Sequence, residues 1–240
     1  MAVLAQPVPI LADNYAWLLR DEATGARAVV DPADAAAVIR AVEADGGRLD
    51  LILLTHHHAD HVAGTDAVRE RFGARVVGAA ADAGRLPRLD RAVREGDEVA
   101  LGESRALVLD TPGHTRGEVS YAFPGVLLSG DVLFSLGCGR LLEGSAAEMF
   151  ASLRKLAALP ADTLVCCGHE YTESNARFAL HVDPGNPALR SRAAEVGRLR
   201  AEGRPTVPSR LGSELAENPF LRAPDVARFA ELRQQKDRFR

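Results

Sequence analysis

Short apolar runs cut by glycine and proline alternate with amphipathic stretches through the first 170 residues. "NYAWLLRD" and "ARAVVDP" flank "EATG" and predict a β-hairpin. "ADAAAVIRAVEADGG" has helical periodicity closed by glycine. "LDLILLTH" is a continuous apolar run of strand length, which predicts a buried strand. "TDAVRERFG" then reads as a helix and "ARVVGAA" as a strand, followed at close spacing by the strands "EVALGE", "RALVLDTPGH", "EVSYAFPG" and "VLLSGD". "SAAEMFASLRKLAALP" predicts a helix with a capping box, Ser145 and Glu148, stopped by Pro160. "DTLVCCGH" is the last strand signal. Beyond it, "ESNARFALHV", "PALRSRAAEVGRLRAEG" and "PDVARFAELRQQKDRFR" are helical, with breaks at "VDPGNP" and "GRPTVPSRLG". The pattern predicts a β-rich α/β domain over residues 1–170 and a small helical domain over 171–240, with no strand after residue 170.

Composition narrows the class. A chain of 240 residues, 47% hydrophobic and 26% charged, has the balance of an ordinary soluble globular protein. Net charge is −4, with no long basic run outside the extreme C-terminus, which argues against a nucleic-acid surface. No run approaches the roughly 20 apolar residues that span a bilayer, so no membrane partner is expected. The opening "MAVLAQPVPILADNY" lacks a basic leader and a cleavage site, so no signal peptide is expected. The cysteines Cys138, Cys166 and Cys167 are odd in number and two are adjacent, which fits a reducing, cytoplasmic setting rather than a disulfide framework.

Chemistry concentrates in "LTHHHADH", where four of the seven histidines fall within six residues. In an extended segment alternate side chains share a face, so His56 and His58 point together and His57 points away. Asp60 and His61 follow where the chain turns towards the next helix. One tetrahedral ion cannot take all of these groups together with further ligands, whereas two ions can share them. Three later strand ends supply the rest, each beside a glycine: His114 in "LDTPGHT", Asp131 in "LLSGDVLF" and His169 in "VCCGHEY". One ion takes His56, His58 and His114, the other takes Asp60, His61 and His169, and Asp131 bridges them. His57 reads as a packing or supporting residue, His181 as a helix-end residue, and Cys166 and Cys167 as core. With imidazole and carboxylate donors and no thiolate, the pair is expected to be zinc, with iron or manganese as alternatives.

In order, H-x-H-x-D-H, "TPGHT", "SGD" and "CGHEY" resemble the metallo-β-lactamase superfamily. Within it the chain resembles glyoxalase II, the hydroxyacylglutathione hydrolases, end to end, through "THHHADHVAG", "DTPGHT", "SGDVLFSLGCGR", "CGHEYTESNARFA" and "ENPFLR"; the last two and the closing helix matter most, because they reach into the helical domain. The resemblance implies a four-layer αββα sandwich with a C-terminal helical domain and a dinuclear site. It implies hydrolysis of the S-D-lactoylglutathione thioester, and of related 2-hydroxyacyl thioesters, to glutathione and D-lactate by a metal-bridging hydroxide. Asp60 and Asp131 carry the catalytic charge in this reading. The resemblance also implies substrate contacts from Arg140, Tyr171, Arg233 and Lys236. Leu142 departs from the family pattern, standing where an aromatic residue is usual. A monomer acting on a small molecule is expected. The alternatives are a lactonase or a glutathione persulfide (sulfur) dioxygenase of the same superfamily, or a metal-binding protein without turnover.

Overall fold

The computed structural model describes residues 2–239. Its first sheet runs in the order β1 (Val3–Ile10), β2 (Asn14–Asp21), β3 (Arg27–Val30), β4 (Leu51–Leu53), β5 (Arg75–Ala79) and β6 (Arg91–Val93). The first three strands are antiparallel and the rest are parallel. Helix α1 (Ala35–Ala44) joins β3 to β4; α2 (Ala59–Val62) and α3 (Thr65–Phe72) join β4 to β5. The second sheet contains β7 (Glu98–Leu101), β8 (Ser104–Asp110), β9 (Val119–Phe123) and β10 (Val126–Gly130), and β11 (Leu133–Phe134) with β12 (Gly137–Cys138) forms a small separate hairpin. After α4 (Ala146–Ala157), β13 (Leu164–Cys167) pairs parallel with β10. The chain continues through α5 (Thr172–Val182), α6 (Pro187–Ala201), β14 (Ser209–Arg210), α7 (Leu211–Glu217) and α8 (Val226–Arg238).

Period-2 alternation sorts the apolar residues into layers. Leu51 and Leu53 of β4 face the core between the sheets, while Ile52 and Leu54 face α1 and α3. In β10, Val126 and Leu128 point to the inter-sheet core and Leu127 points to an outer core with Met149, Phe178 and Phe229. Strands buried on both faces read as continuous apolar runs, which is why "LDLILL" and "VLL" show no alternation in sequence. The resulting order is helix, sheet, sheet, helix, the four-layer arrangement expected from the resemblance. Helices α4, α5, α7 and α8 all contribute to the outer core of the second sheet, so the C-terminal helices are anchored on it.

The α4 capping box forms as read: Ser145 Oγ accepts from the Glu148 amide, and a Glu148 carboxylate oxygen accepts from the Ser145 amide. One expectation fails. Strand signals do not end at residue 170, because β14 pairs antiparallel with β13 at the sheet edge. It is two residues long, too short for any periodicity. Strand β1 also had no sequence reading: Pro7 and Pro9 break its pattern, yet it pairs along its whole length with β2 as an edge strand, where proline is tolerated.

Candidate dinuclear metal centre and substrate cleft

The carboxyl ends of β3, β4, β10 and β13 lie at one rim, where open α/β sheets place their ligand sites. The two sheets are tied together there. Tyr15 N–H donates to Gly168 O, Val119 N–H to Thr55 O, and the Trp17 indole to Cys167 O. Side chains leaving these strand ends therefore start from fixed positions.

All seven predicted metal-ligating residues are brought together. The Nε2 atoms of His56 and His114 lie 3.0 and 3.1 Å from His58 Nδ1. On the other side, His61 Nε2 and His169 Nε2 are 3.3 Å apart, and Asp60 Oδ2 is 3.9 and 3.5 Å from them. Asp131 stands between the two groups: Oδ1 is 3.4 Å from His61 Nε2, and Oδ2 is 3.5 Å from His114 Nε2 and 3.3 Å from His169 Nε2. The donor atoms of His56, His58 and His114 form one metal-sized cluster, and those of Asp60, His61 and His169 form a second.

The outward faces of four of the five rings explain which nitrogen looks into the cluster. His61 Nδ1 meets Asp31 at 3.0 Å, His169 Nδ1 meets Asp13 at 3.0 Å, and His114 Nδ1 meets the Arg140 carbonyl at 2.9 Å. His56 Nδ1 faces the Thr55 hydroxyl at 3.0 Å, whose own proton goes to Asp31 at 2.6 Å. These acceptors place the ring protons on Nδ1 and turn the Nε2 lone pairs inward. Converging lone pairs around a carboxylate repel one another unless a cation sits among them. Asp131 Oδ1 is buried with no hydrogen-bond partner, which points the same way. The donor set fits two divalent cations.

Electrostatics agree. Burial, reinforced by the neighbouring His61 and His114, pushes His56 well below the usual imidazole range, so it stays neutral. Burial works to raise Asp131, but the imidazoles of His61 and His169 hold it well below the usual carboxylate range. Neutral imidazole and ionised carboxylate are the forms that bind metal. His61 is pulled the other way: burial lowers it, but Asp131 and Asp31 together raise it well above the imidazole range. A proton therefore competes with metal at His61.

Several supporting residues had no sequence reading. Asp31 follows β3 at φ 51°, in the left-handed region that few non-glycine residues adopt. Asn14 donates to both the backbone carbonyl and Oδ2 of Asp60, at 3.1 Å each. Glu118 is fully buried and accepts the Asp131 amide at 2.7 Å. "AVVDP" carries part of the ligand signal, an apolar run ending in an acid, but lacks the glycine that accompanies His114, Asp131 and His169. His57 points away from the cluster to Asp82, at 2.8 Å, in keeping with a supporting role.

A cleft of about 430 Å³ opens beside the cluster. It joins His114 and Asp131 to Arg140, Tyr171, Arg233 and Lys236, the four residues expected to contact substrate. Tyr171 stacks on His169, with ring centroids 4.5 Å apart. Lys236 Nζ donates to Ser174 O and Oγ at 3.0 Å. Arg233 is 4% exposed, and its guanidinium donates to the Cys138 carbonyl at 2.8 Å and pairs with Asp237 at 2.9 Å. Cys138 also lines the cleft, but burial pushes its thiol up to about 11, so it is not a thiolate at neutral pH. Leu142 is exposed.

Comparison with known proteins agrees with this geometry. The model of the metallo-beta-lactamase superfamily matches residues 11–169, and that of the hydroxyacylglutathione hydrolase C-terminus matches residues 170–239. The hydroxyacylglutathione hydrolase of Acidiphilium cryptum is 60% identical over 233 residues, spanning 97% of this chain and 95% of the relative. The crystal structure of ETHE1 from Myxococcus xanthus is similar with a TM-score of 0.72 at 27% identity, over 96% of this chain and 90% of that one. TTHA1623, solved in a di-iron-bound form, is similar with a TM-score of 0.67 at 25% identity, over 90% and 100% of the two chains. By sequence over nearly its whole length, and by the arrangement of its strand-end histidines and aspartates, the chain belongs to the hydroxyacylglutathione hydrolase family of the metallo-β-lactamase superfamily.

Proposed function

We propose that this chain hydrolyses the thioester of S-D-lactoylglutathione, and of related S-2-hydroxyacylglutathiones, to free glutathione and the 2-hydroxy acid. The observation that carries the reading is that one cleft joins Asp131 and His114 to the cations Arg140 and Lys236. His56, His58 and His114 would hold one divalent ion, Asp60, His61 and His169 the other, and Asp131 both. Zinc is the proposed metal, with iron or manganese as the alternatives. Such a pair supplies Lewis acidity towards a carbonyl and brings the pKa of water towards about 7.

The chain's own groups do the rest. Asp131 and Asp60 keep their negative charge inside the cluster; at Asp60 burial works against this, and the hydrogen bond from Asn14, with His61 beside it, outweighs it. Arg140 and Lys236 match the two carboxylates of glutathione and would hold the thiol end towards the cluster. The leaving group is a thiolate, which departs without an obligatory acid, and the buried Cys138 thiol beside the cleft takes no part. We place residues 171–240 as the substrate-binding part and the protein in the cytoplasm, as a monomer. The three cysteines are free and buried, which suits a reducing compartment. The test is steady-state hydrolysis by enzyme of known metal content, comparing S-D-lactoylglutathione with a simple lactone and a β-lactam. Preference for the thioester by two or more orders of magnitude in kcat/KM is expected. Preference for the lactone or the β-lactam would overturn the assignment.

A further inference from the structure

The hairpin β11–β12 buries Leu133, Phe134, Leu136 and Cys138 in the cores, and its backbone is held from one side by buried polar groups of the C-terminal helices. Asn175 of α5 donates to Ser135 O at 3.1 Å. Glu214 of α7 accepts the Leu136 amide at 2.7 Å, at a residue with φ 57°. Asn218, just after α7, donates to Phe134 O at 3.2 Å and Gly137 O at 3.0 Å. Arg233 of α8 completes the series at Cys138 O, 2.8 Å, and reaches Gly139 O at 3.5 Å. All four side chains are buried. A buried carbonyl network of this kind is costly to leave half-made, so the donors fix the backbone they touch.

The next residue in the chain is Arg140, whose carbonyl accepts from His114 Nδ1 at 2.9 Å. Gly139 is pressed on both sides: a Cβ there would stand 2.0 Å from the Asp131 carbonyl and 3.2 Å from His114 Cβ. The segment thus has no room to slide, and the position of the Arg140 carbonyl follows from that of Cys138 and Gly139. We propose that Arg233 is a positioning residue for the metal cluster: by holding the Cys138 and Gly139 carbonyls it sets the Arg140 carbonyl, and through it the proton and the direction of His114. This role is separate from any contact with substrate. Two of the guanidinium's edges are already taken, by Cys138 and by Asp237, whose carboxylate receives Nε at 3.1 Å. Lys236, three residues on, shares the cleft but bonds to Ser174 and not to the hairpin. The inference rests on the dinuclear reading above, and the two fail differently.

The test is calorimetric titration of the metal-free full-length protein with zinc, with no substrate present. Wild type is expected to take two equivalents; fewer than two would sink the dinuclear reading itself. R233M is expected to lose about 10- to 100-fold in affinity for one equivalent and to keep the other, the scale of losses on removing an outer partner of a ligating histidine. K236M is expected to match wild type. The R233M loss should not add to that of H114A, since both act on one ligand. R233K covers the case in which R233M does not fold: a lysine keeps the charge but lacks the planar fork that spans Cys138 and Asp237, so a smaller loss at the same equivalent is expected. Wild-type affinity for both equivalents in whichever variant folds would overturn the positioning role, and so would an equal loss in K236M.

Discussion

Asp31 acts on both halves of the cluster although it belongs to neither ligand group in the sequence reading. Its Oδ2 receives His61 Nδ1 directly and His56 through the Thr55 hydroxyl, while Oδ1 receives the Thr55 amide at 2.9 Å. An amide at this position has only one oxygen and cannot accept on both sides. Asp31→Asn is therefore expected to weaken metal binding by about 10- to 100-fold, measured by competition with a chromophoric chelator. Unchanged affinity would contradict the tautomer argument. Asp131 lies within 3.5 Å of the inward nitrogens of His61, His114 and His169, from both groups, so Asp131→Ala should lower bound metal and turnover together, with at least a hundredfold loss of kcat/KM. Metal analysis beside the rate separates this from simple loss of substrate binding: full metal with a full rate would exclude Asp131 from the site. Asp131, on the Nε2 side of His61, and Asp31, on its Nδ1 side, also set a pH dependence. A group raised in the protein keeps its proton to higher pH, so His61 hands its site to the metal only as pH rises, and apparent metal affinity should fall on acidification.

At the level of elements, the ligands were legible because each ends an apolar run beside a glycine or in a dense histidine turn. Gly168 shows what that glycine does: a Cβ there would stand 2.6 Å from both Asp131 Oδ1 and His61 Cε1. Gly168→Ala should displace the cluster and abolish tight binding of at least one ion while the far-ultraviolet circular dichroism stays close to wild type. Tight binding of two ions in that variant would show the approach is not tight. The supporting residues were less legible. Asn14, Asp13 and Glu118 are single polar residues at positions with no periodicity, and only the paired sheets bring them to the rim. Strand β1 was hidden by its prolines, and β11, β12 and β14 by being two residues long. The α4 cap was readable because its pattern is local. Removing it with Ser145→Ala should cost about 1 kcal/mol of unfolding free energy in urea, with activity unchanged.

Over the whole molecule, charge divides unevenly between the parts. Residues 171–240 carry 13 Lys and Arg against nine Asp and Glu, while residues 1–170 carry 16 against 24. The helical part thus offers an anionic thioester a favourable approach on an otherwise acidic protein, and kcat/KM should fall as salt is added. Burial, with Arg233, Arg177 and Arg140 nearby, lowers Lys236 to about 8. A lysine lowered to that value is charged below pH 8 and loses its charge as pH rises through it. KM for the glutathione thioester should therefore rise about twofold to fivefold across that range, the scale of a partly exposed ion pair, and the rise should vanish in K236M. A KM flat with pH in wild type would remove Lys236 from substrate binding.

Turnover requires the strand-end histidines and aspartates to act as one loaded cluster on a thioester. The most direct test is the initial rate of S-D-lactoylglutathione hydrolysis as zinc is added back, equivalent by equivalent, to metal-free protein. The rate is predicted to climb until two equivalents are bound and then level off. Negligible hydrolysis with two equivalents bound, or a full rate with none, would contradict it.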